Sequence, residues 1–101
     1  MDARQQRNAI IEARIRDASP IAWRNSWELY VSRQGIYLIR YHGSAGIYFL
    51  AIESTTGEIK DMTTLAPADM GDLDIVLTVL RAADLGEVAD RAHAWYRSQR
   101  R

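Results

Sequence analysis

Between residues 27 and 62 the apolar residues recur with a period of two, and turn residues interrupt the stretch at Gln34-Gly35, at Gly43-Ser44-Ala45-Gly46 and at Thr55-Thr56-Gly57. Alternation at this period marks strands, and short runs joined by such turns describe an antiparallel meander. Strands are expected over 27–33, 36–42, 47–54 and 58–62. Closing the first hairpin on a two-residue Gln34-Gly35 turn sets Tyr30 opposite Ile39; the second hairpin sets Ile39 opposite Leu50 and Tyr41 opposite Tyr48. One face then carries Tyr30, Tyr37, Ile39, Tyr41, Tyr48, Leu50 and Ile52. The other carries Trp27, Leu29, Val31, Ile36, Leu38, Ile47, Phe49 and Ala51, interrupted by Arg40, His42 and Glu53. An antiparallel sheet with one wet face alternates apolar with polar. Here both faces are largely apolar, so the sheet must be covered on both sides or bind something.

The flanks read as helices. Residues 2–18 contain no Gly or Pro, and Ser19-Pro20 ends the segment because the residue before Pro is pushed out of the helical region. Ile10, Ile11, Ile15 and Ala18 share an arc of this helix with Arg4, Arg7 and Arg14, which either snorkel or form a basic arm. Pro67 with Asp69, Asp72 and Asp74 announces a second helix to about residue 83, carboxylates favouring the positive end of a helix; a buried strand over 73–80 is the alternative. Asp84-Leu85-Gly86-Glu87 reads as a capping box opening a third helix to about residue 97. Its stripe is Leu85, Val88, Ala89, Ala92 and Tyr96, with His93 and Trp95 on the margins. The expected protein is an α+β fold: an N-terminal helix, a three- to four-stranded antiparallel β-meander and two C-terminal helices. It forms one compact domain over 1–101 whose basic ends, near 1–7 and 98–101, are prone to fray.

Length and composition exclude several classes. The chain has 101 residues, 48% apolar and 26% charged, which is globular usage and not that of a disordered chain. It has no Cys, so disulfides, zinc ribbons and thiol nucleophiles are out. No signal-peptide h-region opens it, and its longest apolar stretches, 47–52 and 75–80, fall short of the roughly 20 residues of a membrane span. A soluble cytoplasmic protein with no membrane partner is expected. Twelve Arg against one Lys, with fourteen Ala, is the usage of a GC-rich bacterial or phage genome.

Chemistry-bearing motifs are scarce. No P-loop, GxGxxG, HExxH or GxSxG occurs, and the two histidines, His42 and His93, lie far apart in sequence. Asp69, Asp72 and Asp74 are more economically a helix start than cation ligands, and the loop 43–46 is more economically a hairpin turn than a phosphate cradle. No catalytic residue, cofactor or metal is therefore expected; an enzyme would have to work with His42 beside Glu53 or Asp61. Arg40 and His42 are expected to snorkel at the rim of the sheet.

Charge is uneven although the net is zero: residues 1–40 carry +3, residues 53–90 carry −7 and residues 91–101 carry +4. Tyr30, Tyr37, Tyr41 and Tyr48 form a candidate partner surface, since Tyr offers a large contact area and tolerates water; otherwise they cap the edge of an ordinary core. Asp69, Asp72 and Asp74 are a second candidate, as an acidic surface resembling phosphate to a basic target. These features lead to a cofactor-free protein-binding or inhibitory protein. Its more specific form is a phage or bacterial conflict protein that inhibits a defence nuclease, in the manner of an anti-CRISPR, or a toxin. The partner is another protein, with a second copy of this chain as one case. The alternatives are a nucleic-acid-binding or regulatory protein using Arg4, Arg7, Arg14, Arg97, Arg100 and Arg101, and a small enzyme or ligand-binding domain near His42. The segment 51–59, AIESTTGEI, resembles the closing hairpin of PepSY-like and some small immunity-type domains; it spans about a tenth of the chain and implies no site residue.

Overall fold

The computed structural model describes residues 2–99, with every side chain among them except that of Arg4. The order is α1 (Ala3–Arg16), β1 (Ser19–Arg24), β2 (Trp27–Val31), β3 (Ile36–Gly43), β4 (Gly46–Glu53), β5 (Ile59–Asp61), α2 (Met70–Ala82) and α3 (Gly86–Ser98). The strands form one antiparallel sheet in the order β1-β2-β3-β4-β5, so the α+β meander is as expected but has five strands.

The unexpected strand is β1. Its sequence, Ser-Pro-Ile-Ala-Trp-Arg, shows no clean alternation because only Ala22 is half-buried. As an edge strand it tolerates Pro20, which has no N–H to give to a ladder, and it carries an irregularity between Pro20 and Ala22.

Both faces of the sheet are covered. Trp27, Leu29, Ile39, Leu50, Ile52 and Ile59 pack against Leu73, Val76, Val79 and Leu80 of α2 and Val88, Ala89, Ala92 and Tyr96 of α3. On the other side Leu38, Phe49 and Ala51 pack against Ile11 and Ile15 of α1. Ile10, expected on the buried arc, is 60% exposed, because the half-buried Arg7 and Asn8 fill out the helix's inner face beside Ile11 and Ile15.

The first hairpin corrects the expected faces. Ser32 N–H donates to Ile36 C=O and Gly35 N–H to Ser32 C=O, with Gly35 at φ +78, so the loop has three residues, Arg33-Gln34-Gly35. Tyr30 consequently faces Leu38, and Leu29 faces Ile39. One residue of slip moves every β2 side chain to the opposite face. Trp27 and Leu29 thereby join the α2/α3 core, while Tyr30 goes to the α1 side.

The helix ends also differ from expectation. Pro67 precedes α2, whose N-cap is Asp69 in a capping box with Asp72. Asp84 does not cap α3, whose N-cap, Leu85, makes no side-chain hydrogen bond. Instead Asp84, at φ +63, closes α2: its N–H donates to Arg81 C=O while Leu85 N–H donates to Leu80 C=O. This is the Schellman pattern, with Asp where Gly is usual. The β4–β5 turn is seated directly on α3. Gly57 has φ +78, and a Cβ there would lie 2.3 Å from the Arg91 carbonyl group.

Candidate functional site

The α1 side of the sheet is open at the end formed by the β1–β2 and β3–β4 turns. Ala22 pairs with Leu29 and half-buries against the α2/α3 core, so the next residue, Trp23, points to the α1 side. Trp23 pairs with Glu28, Glu28 with Arg40, and His42 with Ile47, which sets these five residues on one face. Trp23 is 69% exposed and Ile47 is 44% exposed; Ile21, in the irregular part of β1, is 40% exposed. Trp23, Arg24, Asn25, Glu28, Tyr30 and His42 line a shallow cleft of about 410 Å³ here. Arg24 itself lies over the Trp27 ring, 5.5 Å from its centroid.

The floor of this region is an ionic cluster. Arg40 donates to Glu12 of α1 and, at 2.6 Å, to Glu28 of β2. The second Glu28 contact comes from Tyr30, whose hydroxyl donates at 2.6 Å, and His42 Nε2 lies 2.9 Å from the other carboxylate oxygen. Partial burial opposes ionisation of Glu28, but the hydrogen bonds from Tyr30 and His42 and the Arg40 charge outweigh it and hold its pKa below the usual carboxylate value. Tyr30 is pushed above the ordinary phenol value, first by its hydrogen bond to the Glu28 carboxylate and then by burial. Arg40 and His42 are thus paired members of a cluster and not a snorkelling rim pair. His42 meets neither Glu53 nor Asp61: Glu53 pairs with Ile36 at the far end of β3, and Asp61 pairs with Leu50 on the α2/α3 side.

The tyrosines do not make one surface. Tyr37 and Tyr41 are half-buried against the α2/α3 core, Tyr48 shares their face opposite Tyr41, and Tyr30 is on the other side of the sheet. Asp69 and Asp72 are engaged in the α2 capping box, with Asp69 accepting from Asp72 N–H at 2.8 Å and Asp72 accepting from Asp69 N–H at 3.1 Å. Burial, together with the charges of Asp61 and Asp69, pushes Asp72 up to about 6 against the lowering effect of the Asp69 N–H. Asp74 is exposed on α2. Among the described residues no group of three or more His, Asp or Glu side chains is placed to hold a metal ion.

Of the six arginines named as nucleic-acid contacts, the three with described side chains lie apart. Arg7 donates to Thr63 C=O at 3.0 Å, Arg14 is exposed near the C-terminal end of α1, and Arg97 is exposed on α3. The Arg4 side chain, Arg100 and Arg101 lie outside the described residues. Sequence reasoning missed Trp23 and the Glu12–Arg40–Glu28 cluster. The Asn25-Ser26 dipeptide, a two-residue turn ahead of β2, was the available signal for β1, and nothing in the sequence marks the outward side of Trp23.

No helix among the described residues is long and apolar enough to cross a membrane. No family model, no curated protein and no solved structure matches the chain.

Proposed function

We propose that this chain is a cofactor-free protein-recognition module that docks through the β1 edge with Trp23 as anchor. The observation carrying this reading is the 69% exposure of Trp23 on a strand with no neighbour on its outer side among the described residues. Trp is enriched among the residues that dominate binding energy at interfaces. An open sheet edge is a template for an added strand, and native sheets usually blunt such edges. Pro20 and the irregularity beside it blunt the first half of β1 only, leaving residues 22–24 regular. Inhibition of a nuclease or a toxin is a special form of this reading, in which the added strand or the Trp pocket belongs to the inhibited protein.

The test is size-exclusion light scattering of wild type and Trp23→Ala, with absorbance at 260 and 280 nm, beside capture on matched columns. Wild type is expected either to exceed its 11.5 kDa chain mass as a nucleic-acid-free self-complex or to retain a protein that Trp23→Ala releases, with unchanged circular dichroism. Two bare monomers retaining the same proteins would overturn the reading. A 260 nm-rich peak unaffected by Trp23→Ala would transfer it to nucleic acid.

A further inference from the structure

Half of the cationic side chains among the described residues are engaged. Arg7 and Arg91 donate to the carbonyls of Thr63 and Ser54, Arg24 lies over Trp27, Arg40 joins Glu12 and Glu28, and Arg81 lies 3.9 Å from Asp90. Lys60 and Arg97 are not, and nor are Arg14, Arg16 and Arg33, the three that share a groove. They are exposed, and among the described residues their side chains make no hydrogen bond, ion pair or ring contact. All three line one groove of about 910 Å³ between the C-terminal end of α1 and the β2–β3 turn. Among the described residues Ile36 and Leu38 supply its apolar side, and Asp17 is its one carboxylate.

We infer that this groove binds an acidic peptide segment of a partner protein, with carboxylates on Arg14, Arg16 and Arg33 and one apolar side chain against Ile36 and Leu38. Charge complementarity selects the occupant. Three guanidiniums against a single carboxylate leave a local positive excess in a chain of zero net charge, and each guanidinium offers a planar fork that fits a carboxylate bidentately. The apolar side argues for a peptide over a polynucleotide: both lining hydrophobics are aliphatic, and no aromatic ring lines the groove for bases to stack on. The three-residue hairpin loop creates the site, because it carries Arg33 at the turn beside α1. The groove shares no lining residue with the Trp23 cleft, so the two proposals stand separately.

The experiment is a fluorescence-anisotropy titration of the full chain with a short labelled peptide of Glu and Asp containing one central Leu, against a labelled oligothymidylate of similar length. Wild type should bind the peptide saturably and more tightly than the oligonucleotide at the same salt. The triple variant Arg14→Ala, Arg16→Ala, Arg33→Ala should lose about tenfold or more in affinity while keeping its melting temperature. The corresponding triple Lys variant should fall between the two, since Lys keeps the charge but not the fork. Trp23→Ala should bind the peptide as wild type does. No saturable peptide binding, equal binding by the triple Ala variant, or tighter binding of the oligonucleotide would each overturn the inference.

Discussion

Among the described residues the α2/α3 side of the sheet closes over a cluster of fourteen buried hydrophobic residues, in which only Trp27 and Tyr96 carry a polar side-chain group, whereas the α1 side closes over five. The smaller side is supplemented by the Arg40 cluster, which ties α1 through Glu12 to β2 and β3. Burial scales with apolar area at about 25 cal/mol per Å², so the first side holds chiefly by an effect that ionic screening does not weaken. The second relies in part on charge. α1 is therefore the element expected to open first, and amide exchange should be faster in α1 than in α2.

The two sides also answer to pH with opposite sign. Glu28 has a lowered pKa, so its contribution is present at neutral pH and is lost as pH falls through the folded-state value. Asp72 is raised to about 6, so the folded state is favoured at low pH, and that contribution is lost as pH rises from near 3.8 through about 6.

The largest expected effect is on the α2/α3 side. Gly57→Ala would force a Cβ into the Arg91 carbonyl group at a backbone angle that favours Gly, and should cost about 3 kcal/mol or more in chemical denaturation. A loss under 1 kcal/mol there would show that α3 is not clamped on the β4–β5 turn. Next comes Arg40→Met, which leaves the Glu12 and Glu28 carboxylates without their shared cation. It should cost about 2 kcal/mol, discounted from the fully buried case because Arg40 and its partners are partly exposed. That loss should shrink with added salt and appear as faster exchange in α1; uniform acceleration across α1 and α2 would dissolve the contrast between the two sides.

Smaller effects sharpen it. Asp72→Asn keeps an acceptor for the Asp69 N–H while removing a charge beside Asp61 and Asp69. It should stabilise at pH 7 by about 1 kcal/mol after screening of a partly exposed site, and flatten the decline in stability between pH 4 and 6. An unchanged pH profile would mean that Asp72 does not set it. Asp84→Gly should raise stability by about 0.5–1 kcal/mol by relieving a positive φ at a helix end, checked by thermal melting.

What the sequence made legible follows from local rules. The period of two, the turn dipeptides and the stripe of α3 all report on short-range backbone preferences, and the meander with flanking helices follows from them. The apolar character of both alternate faces already required a layer on each side, which α1 and the α2/α3 pair provide. The candidate site was less legible. Trp23 leaves no alternating pattern because an edge strand buries little, and Tyr30 leaves the face of Tyr37, Tyr41 and Tyr48 because the three-residue loop ending in Gly35 shifts the register by one residue.

The residue pattern by itself determined the α+β architecture, the antiparallel order of the four strands β2 to β5 and the need for cover on two sides, because period, turn chemistry and helix breakers act within a few residues. Only the tertiary structure decided which face each β2 side chain joins, which carboxylate holds Arg40, and that Arg14, Arg16 and Arg33 meet at one groove. The first follows from a single residue of hairpin length, for which Gln34-Gly35 suits a two-residue or a three-residue loop and cover by α2 and α3 selects the latter; the others follow from where α1 lies across the sheet.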